Sequence, residues 1–544
     1  MPKQPNLPLP DIVWDGATLT SRAYDDVYAS REGGVAETEY VFLGGNGFPE
    51  RWKTQNHFTI AELGFGAGLN FFTTWRQFIT HAAPEAHLHF ISTERYPLNA
   101  QEMMRAIAPY RELEWMAHQF AARLPQRLAG IHHLQFERVT LTLCYGDAAE
   151  TLPQLNHRVD AWFLDGFSPA KNPTMWGEEV LKHVARLGGT FATFTAAGEV
   201  KRRMEAFGYR VEKRPGFGKK RDMLIGSHPL PMPHHRRDNV TIIGGGIAGC
   251  STAYALARRG HRVTLYEEGI IASGASGNPA ALLYPRITKH WSPEMSFYLS
   301  AYSYMLSHIP YWNSAHEVAP LIKTIKDEQE RERFTDISAR TNIDPSILYL
   351  DRARDALIFP SAMWIDPREL CYKLLQHPHI TVHENAAVDE LPASLTVLCN
   401  GYSAQRFAPE CAMKQNAGQI SLVPNCHLQH KPNTPHSHKG YIIPHDAGVL
   451  IGATYDREDL SGAVTQANHQ KNREEAQTAL ADLFTDDDMS DWQGRTSLRA
   501  TTPSRMPYIQ KVREGLYINA GHGSRGMLSA PYGAELLANE ICNS

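Results

Sequence analysis

VTIIGGGIAGC, residues 240–250, decides how the second half of the chain folds. An apolar run passes directly into glycines spaced G-x-G-x-x-G at Gly244, Gly246 and Gly249, which predicts a buried strand, a tight turn and the first turn of a helix. Glycine there lets the backbone approach a ligand closely, and the helix beyond offers unpaired N–H groups to an anion. Eighteen residues after Gly249, the strand RVTLYEE ends in Glu267, where a carboxylate accepts the hydroxyls of an unphosphorylated adenosine ribose. Strand, turn, helix, strand and acid therefore follow in the order a dinucleotide needs, and they suit NAD and FAD equally.

Two further stretches separate those ligands. ASGASGNPAALLYPR, residues 272–286, is rich in small residues able to lie against a flat ring system. LYINAGHGSRGMLSAPYGAELLAN, residues 516–539, predicts a strand over Leu516–Ala520 that runs through Gly521, Gly523 and Gly526 into a helix beginning around Leu528. The N-terminus of such a helix stabilises negative charge on a reduced flavin. A plain NAD domain has no need to return so distant a segment to its first strand, so FAD is the expected cofactor. This half resembles the D-amino acid oxidase or glycine oxidase class of FAD enzymes, which oxidise carboxylate-bearing amines. That resemblance implies an arginine gripping the carboxylate; Arg499 in RTSLRATTPSRMP is the best match, with Tyr441 in GYIIP as a helper.

A different glycine turn comes earlier. ELGFGAG, residues 62–68, places Gly64, Gly66 and Gly68 between a strand and a helix, and the next predicted strand ends in Glu94 within FISTERYPL. A third strand ends in Gly146-Asp147, suited to an adenine amino group, and a fourth in Asp165-Gly166. Ligands in open α/β sheets bind beyond the carboxyl ends of strands, so acids and glycines at four such ends describe one pocket. A lone acid there would more often be an ordinary helix cap. The set resembles the class I S-adenosylmethionine-dependent methyltransferases. In those acting on amines, an acidic or amide residue at the position of Asp165, which leads DGFSPAKNPTMW, holds the nucleophile and helps remove its proton.

With 544 residues, two to four domains are expected. The apolar, charged and aromatic fractions, 42%, 21% and 10%, exclude extensive disorder. Seven widely spaced cysteines without a Cys-x-x-Cys pair point to a reduced compartment and no metal site. No apolar leader or run of about 18 apolar residues is present, so a cytoplasmic protein without a membrane segment is expected. The net charge of −4 argues against nucleic acid, yet Lys201–Arg221 holds nine Lys or Arg against two Glu, a local excess able to contact phosphates. A solvated basic face is the bland alternative.

HPLPMPHHRRDN, residues 228–239, reads as a stiff proline-bearing spacer. The fold class is α/β: a Rossmann-like class I methyltransferase domain over 1–230, a linker at 231–238, then an FAD-binding Rossmann domain with an inserted α+β substrate domain over 239–544. SRAYDDVYAS, YVFLGGN, ELGFGAGLNF, DGFSPAKNPTMW, GASGN and GSRG together resemble the family of bifunctional tRNA methylaminomethyl-thiouridine biosynthesis proteins across nearly the whole chain. The resemblance implies oxidation of a carboxymethylaminomethyl group on a tRNA wobble uridine to aminomethyl, then methylation of that amine, with tRNA as partner and a monomer expected. The competing readings are a fused amino acid oxidase and small-molecule N-methyltransferase, or a tRNA-binding methyltransferase with a structural FAD domain.

Overall fold

The computed structural model describes residues 7–542 except 31, 157, 230–238, 289–290, 313–315 and 341–342. The spacer expected at 231–238 lies outside the described residues. Two compact units are present, one within residues 5–236 and one within 237–538.

The first unit is built on an eight-stranded sheet of β1 (His57–Leu63), β2 (His87–Glu94), β3 (Gly130–Phe136), β4 (Val139–Tyr145), β5 (Ala161–Leu164), β6 (Thr190–Thr193), β7 (Arg210–Pro215) and β8 (Asp222–Ser227). Their order is β7-β8-β6-β5-β1-β2-β4-β3. The five strands from β6 to β4 are parallel, and antiparallel pairs close both edges. All seven residues of β1 are buried, because helices cover both faces of a parallel sheet and leave no solvent side. Helix α1 (Leu69–His81) follows β1 and turns its buried Phe71, Phe72, Trp75 and Phe78 into the aromatic core. With β2 and β5 on opposite sides of β1, the strand order reverses beside β1, which opens a crevice at its carboxyl end.

The second unit holds a six-stranded sheet of β9 (Asn239–Ile243), β10 (Arg262–Tyr266), β11 (Ile380–His383), β12 (Leu395–Leu398), β13 (Tyr508–Arg513) and β14 (Leu516–Ala520), ordered β11-β10-β9-β12-β14-β13. Only β13 is antiparallel to its neighbour. Helix α2 (Ile247–Ala257) follows β9, and helix α3 (Gly526–Cys542) follows β14. Between β10 and β13 the chain also builds a second eight-stranded sheet, whose longest strand, Lys414–Pro424, pairs antiparallel with Gln493–Thr501 and sets Asn416 opposite Arg499.

Helix α2 packs tightly on β9 because Gly249 has no side chain: a Cβ there would stand 1.8 Å from the Gly244 carbonyl oxygen. Helix α3 is fastened to the end of α2 by charge. Glu535 is fully buried, lies 2.9 Å from the Arg258 guanidinium and also pairs with Arg259, both arginines being almost wholly buried. Removing one member of such a cluster leaves uncompensated buried charge and typically costs about 3–5 kcal/mol. Glu535→Ala is therefore expected to weaken the second unit by about 3 kcal/mol in urea unfolding; an unchanged midpoint would show that the cluster is not what holds α3.

Candidate active sites

The crevice of the first unit is a cavity of about 370 Å³ at the carboxyl ends of β1, β2, β4 and β5. Gly64, Gly66 and Gly68 line or flank it with φ of 89°, 53° and 80°, backbone that other residues rarely adopt. The turn is tied down by the Gly64 and Phe65 N–H groups, which donate to the Thr93 carbonyl at 3.1 and 3.0 Å. Glu94 accepts from the N–H groups of Gly66 (2.8 Å) and Tyr96 (2.6 Å). Burial raises its pKa, while those backbone hydrogen bonds oppose the rise. Asp147 caps a short helix by accepting from the Ala149 N–H at 3.0 Å, and its other oxygen lies 3.0 Å from the Arg95 guanidinium. Both its oxygens thus already hold a protein donor, although a carboxylate retains further acceptor capacity.

Asp165 lies on the same cavity. Asn70, on α1, donates from its amide nitrogen to Asp165 (2.6 Å) and to Glu62 on β1 (2.8 Å), and Ser92 donates to the other Glu62 oxygen at 2.7 Å. The Thr38 hydroxyl, 2.6 Å from the Asn70 amide oxygen, fixes which way the amide faces. Two carboxylates thus share one amide group in a poorly solvated place. Burial, then the nearby Glu37 carboxylate, push Asp165 up to about 7 against the Asn70 hydrogen bond and Lys220. Burial and the charge of Asp165 push Glu62 far above its ordinary range. The segment from Tyr24 covers this region: Tyr24 stacks on Phe167 with centroids 4.9 Å apart, and the Ser168 N–H donates to Asp26 at 3.0 Å.

The second unit holds a cavity of about 1590 Å³, reaching from Gly244, Gly246 and Glu267 to Tyr441, Arg499, Gly523 and Gly526. Glu267 accepts from the N–H groups of Gly245 (2.5 Å) and Gly269 (2.9 Å), and the Ser276 hydroxyl meets the Ile247 N–H at the start of α2 (2.9 Å). Gly249 faces the strand rather than the cavity, where it secures helix packing. The small-residue loop is pinned by Arg495, which donates to Asn278 and to the Ser273 carbonyl, both at 2.7 Å. Arg499 has no carboxylate partner among the described residues, and its charge lowers the Tyr441 pKa against the larger effect of burial, which raises it. Around them lie residues the sequence reading passed over. Arg525 sits over the Tyr284 ring at 4.7 Å and donates to its carbonyl at 3.0 Å. Burial pushes His522 down to about 4, so the ring is neutral, with Nδ1 2.9 Å from the Ser529 hydroxyl.

The basic segment Lys201–Arg221 divides between the helix Gly198–Ala206 and the hairpin of β7 and β8. Lys201, Arg203, Lys213, Lys219 and Lys220 each meet a carboxylate there. Among the described residues, Arg202, Arg210, Arg214 and Arg221 have no such partner. Away from both cavities, Cys426, His427 and Asp491 bring possible metal-ligand atoms within 4.8 Å of one another. Hydrogen bonds from His427 to Asp486 (3.0 Å) and Asp491 (2.8 Å) raise its pKa, so a protonated ring satisfies the group without an ion. No described helix is long and apolar enough to cross a membrane.

The fold and cavities define a two-site α/β protein, one site suited to a methyl donor and one to a flavin. Two sequence families agree: residues 239–540 match the FAD dependent oxidoreductase family and residues 111–229 an S-adenosyl-L-methionine-dependent methyltransferase family. Along its whole length the chain is similar to tRNA 5-methylaminomethyl-2-thiouridine biosynthesis bifunctional proteins MnmC. It is 35% identical to that of Chromohalobacter salexigens, over 98% of this chain and 90% of the relative, and 34% identical to that of Nitrosospira multiformis, over 97% and 95%. The chain belongs to this MnmC family. Among solved structures, glycine oxidase from Bacillus cereus ATCC 14579 is similar over 56% of this chain and 94% of its own, at 21% identity and a TM-score of 0.48.

FAD and S-adenosylmethionine are accordingly the cofactors. The cavities fit them: about 370 Å³ suits one nucleoside-sized ligand, and about 1590 Å³ leaves room for a dinucleotide and a substrate.

Because the folded pKa of Asp165 stands above its unfolded value, its ionisation opposes folding. The penalty grows as pH rises through the unfolded pKa and is complete above about pH 7. Asp165→Asn is therefore expected to melt at the same temperature as the parent near pH 4 and at least about 2 °C higher above pH 7.5. A difference independent of pH would contradict the assigned ionisation.

Proposed function

We propose that the chain carries out two consecutive reactions on the wobble uridine of tRNA, the first in a flavin domain at 239–544 and the second in a methyltransferase domain at 1–230, joined by 231–238. The observation that supports this most directly is chemical. One cavity presents a guanidinium, Arg499, with no carboxylate partner among the described residues, and the other presents a carboxylate poised near neutrality, Asp165. A carboxymethylaminomethyl arm needs the first, and the aminomethyl group left by its oxidation needs the second.

In the flavin domain, Gly244, Gly246 and Glu267 would hold the adenosine end of FAD, with Gly249 keeping the helix close behind them and Gly523 and Gly526 lining the part of the cavity left for the ring. Arg499, with Tyr441 beside it, grips the arm's carboxylate and points the adjoining C–H bond at the flavin. FAD, when bound, would supply the hydride acceptor. Loss of hydride and the amine proton leaves a C=N bond, and water cleaves it to glyoxylate and the primary amine. In the methyltransferase domain, Gly64, Gly66, Gly68, Glu94 and Asp147 hold S-adenosylmethionine, which supplies the methyl group. An ammonium nitrogen has no lone pair, so Asp165 takes its proton and keeps the free amine aligned. The Asn70 amide holds one Asp165 oxygen and leaves the other for the substrate.

The tRNA itself is carried by cations on the first unit, with Arg202, Arg210, Arg214 and Arg221 the foremost candidates for phosphate contact. A tRNA substrate supports a cytoplasmic location.

Mass spectrometry of wobble nucleosides from cells lacking the protein, complemented with variants, tests the reading. Asp165→Ala is expected to accumulate the aminomethyl nucleoside and Arg499→Ala the carboxymethylaminomethyl one. A nucleoside profile unchanged by the deletion would rule out the tRNA substrate. With purified protein, methyl transfer is expected to fall as pH drops below about 7, where Asp165 becomes protonated. A rate indifferent to pH between 5.5 and 8 would remove Asp165 as the base.

A further inference from the structure

The two cavities differ in charge. Arg499 and Lys439 face the flavin cavity without carboxylate partners among the described residues. The methyl-transfer cavity is lined by Asp26, Glu37, Glu94, Asp147 and Asp165, and its cations, Arg95 and Lys220, are both already paired. Lys220 is the informative one. Its ammonium lies 2.8 Å from Glu37 and 4.0 Å from the centre of the Phe194 ring. The Glu37 side chain is 13% exposed and that of Lys220 43%. The loop carrying Lys220 is held in place nearby: the Lys219 N–H donates to Glu32 at 2.9 Å, and the Tyr40 hydroxyl donates to the Pro215 carbonyl at 3.2 Å. Glu37 thus occupies the lysine that would otherwise be available to an incoming anion.

We propose that Glu37, by holding Lys220 and adding its own carboxylate to the wall, makes the methyl-transfer cavity reject the carboxymethylaminomethyl arm and admit the aminomethyl arm. The inference rests on the two-step reading above. The precursor's carboxylate would enter beside Glu37 and Asp165, and like charges brought together out of water cost several kcal/mol. The aminomethyl arm is an ammonium at neutral pH and meets opposite charge. The closeness of Glu37 to the reacting group is also reflected in its upward push on Asp165. Rejection matters because the precursor's secondary amine is itself nucleophilic, so methylation before oxidation would produce the wrong nucleoside. Glu37 is a specificity residue here, acting by exclusion.

The test measures methyl transfer to aminomethyl-tRNA by the full-length protein, with carboxymethylaminomethyl-tRNA added as competitor. It is run anaerobically with tRNA in large excess, so the flavin domain consumes almost none of the competitor. Glu37→Gln is expected to lower the competitor's inhibition constant about tenfold, equivalent to about 1.4 kcal/mol, and to yield some methylated carboxymethylaminomethyl nucleoside by mass. Adding Lys220→Gln to that variant should return the inhibition constant towards the parent's, which a merely structural role for Glu37 would not predict. Lys220→Glu alone should keep the competitor excluded. An inhibition constant unmoved by Glu37→Gln, or lowered by Lys220→Glu, would overturn the proposal. Absence of methyl transfer from the parent protein to aminomethyl-tRNA would instead refute the two-step reading itself.

Discussion

The carbonyl oxygen of Gly244 and the α-carbon of Gly249 pack so closely that one added methyl group would stand 1.8 Å from the oxygen. Because that space is closed, α2 lies directly against β9 and its N-terminus opens onto the large cavity. The same approach brings the Gly245 N–H within 2.5 Å of Glu267, so the acid at the end of β10 is oriented by the turn that begins the unit. Arg258 and Arg259, at the other end of α2, then receive Glu535 from α3. One steric allowance thus aligns the helix, the acid and the returning C-terminal segment. An alanine at position 249 would disturb all three through the backbone.

The first unit is governed by a different constraint, the sharing of one amide between two buried carboxylates. Asn70 can satisfy both Glu62 and Asp165, but it cannot neutralise them. The folded state therefore carries an electrostatic cost at neutral pH, in return for a carboxyl group that exchanges its proton near neutrality. Such stored cost is typical of reacting sites and atypical of a structural core.

Much of this was legible in the chain. The strand expected to end in Glu94 is β2, and that expected at Leu516–Ala520 is β14; Gly515 and Gly521 bound the latter and leave little freedom of assignment. A capping box on Asn99 and Glu102 starts the helix Ala100–Ile107 that follows β2, a signal readable in the spacing of those two residues. The edges were less legible: β3, β7 and β8 mix polar and apolar residues, and antiparallel edge strands lack the uniform apolar run of a doubly covered strand. At the sites, residues with a motif were found and their supports were not. Glu62 and Asn70 stand at either end of ELGFGAGLN, yet nothing in that spacing says that Asn70 joins Glu62 to Asp165, ninety-five positions away from Asn70. Likewise the basic segment looked continuous, whereas folding gives five of its cations to neighbouring carboxylates.

The place of β14 in its sheet sets a timetable for assembly. It lies between β12 and β13, and the α3 carboxylate that neutralises Arg258 comes 277 positions after that arginine. On a ribosome the flavin unit would have to wait, with an interior strand and the carboxylate of Glu535 both missing, until nearly all of these residues have emerged. The first unit, by contrast, finds the partners for its parallel core within its own stretch of chain. Domains made first generally fold first, and pairings of long sequence separation are slow. Slow or truncated translation would therefore burden the oxidase half more than the methyltransferase half, with the late-formed half the more exposed to chaperones and proteases.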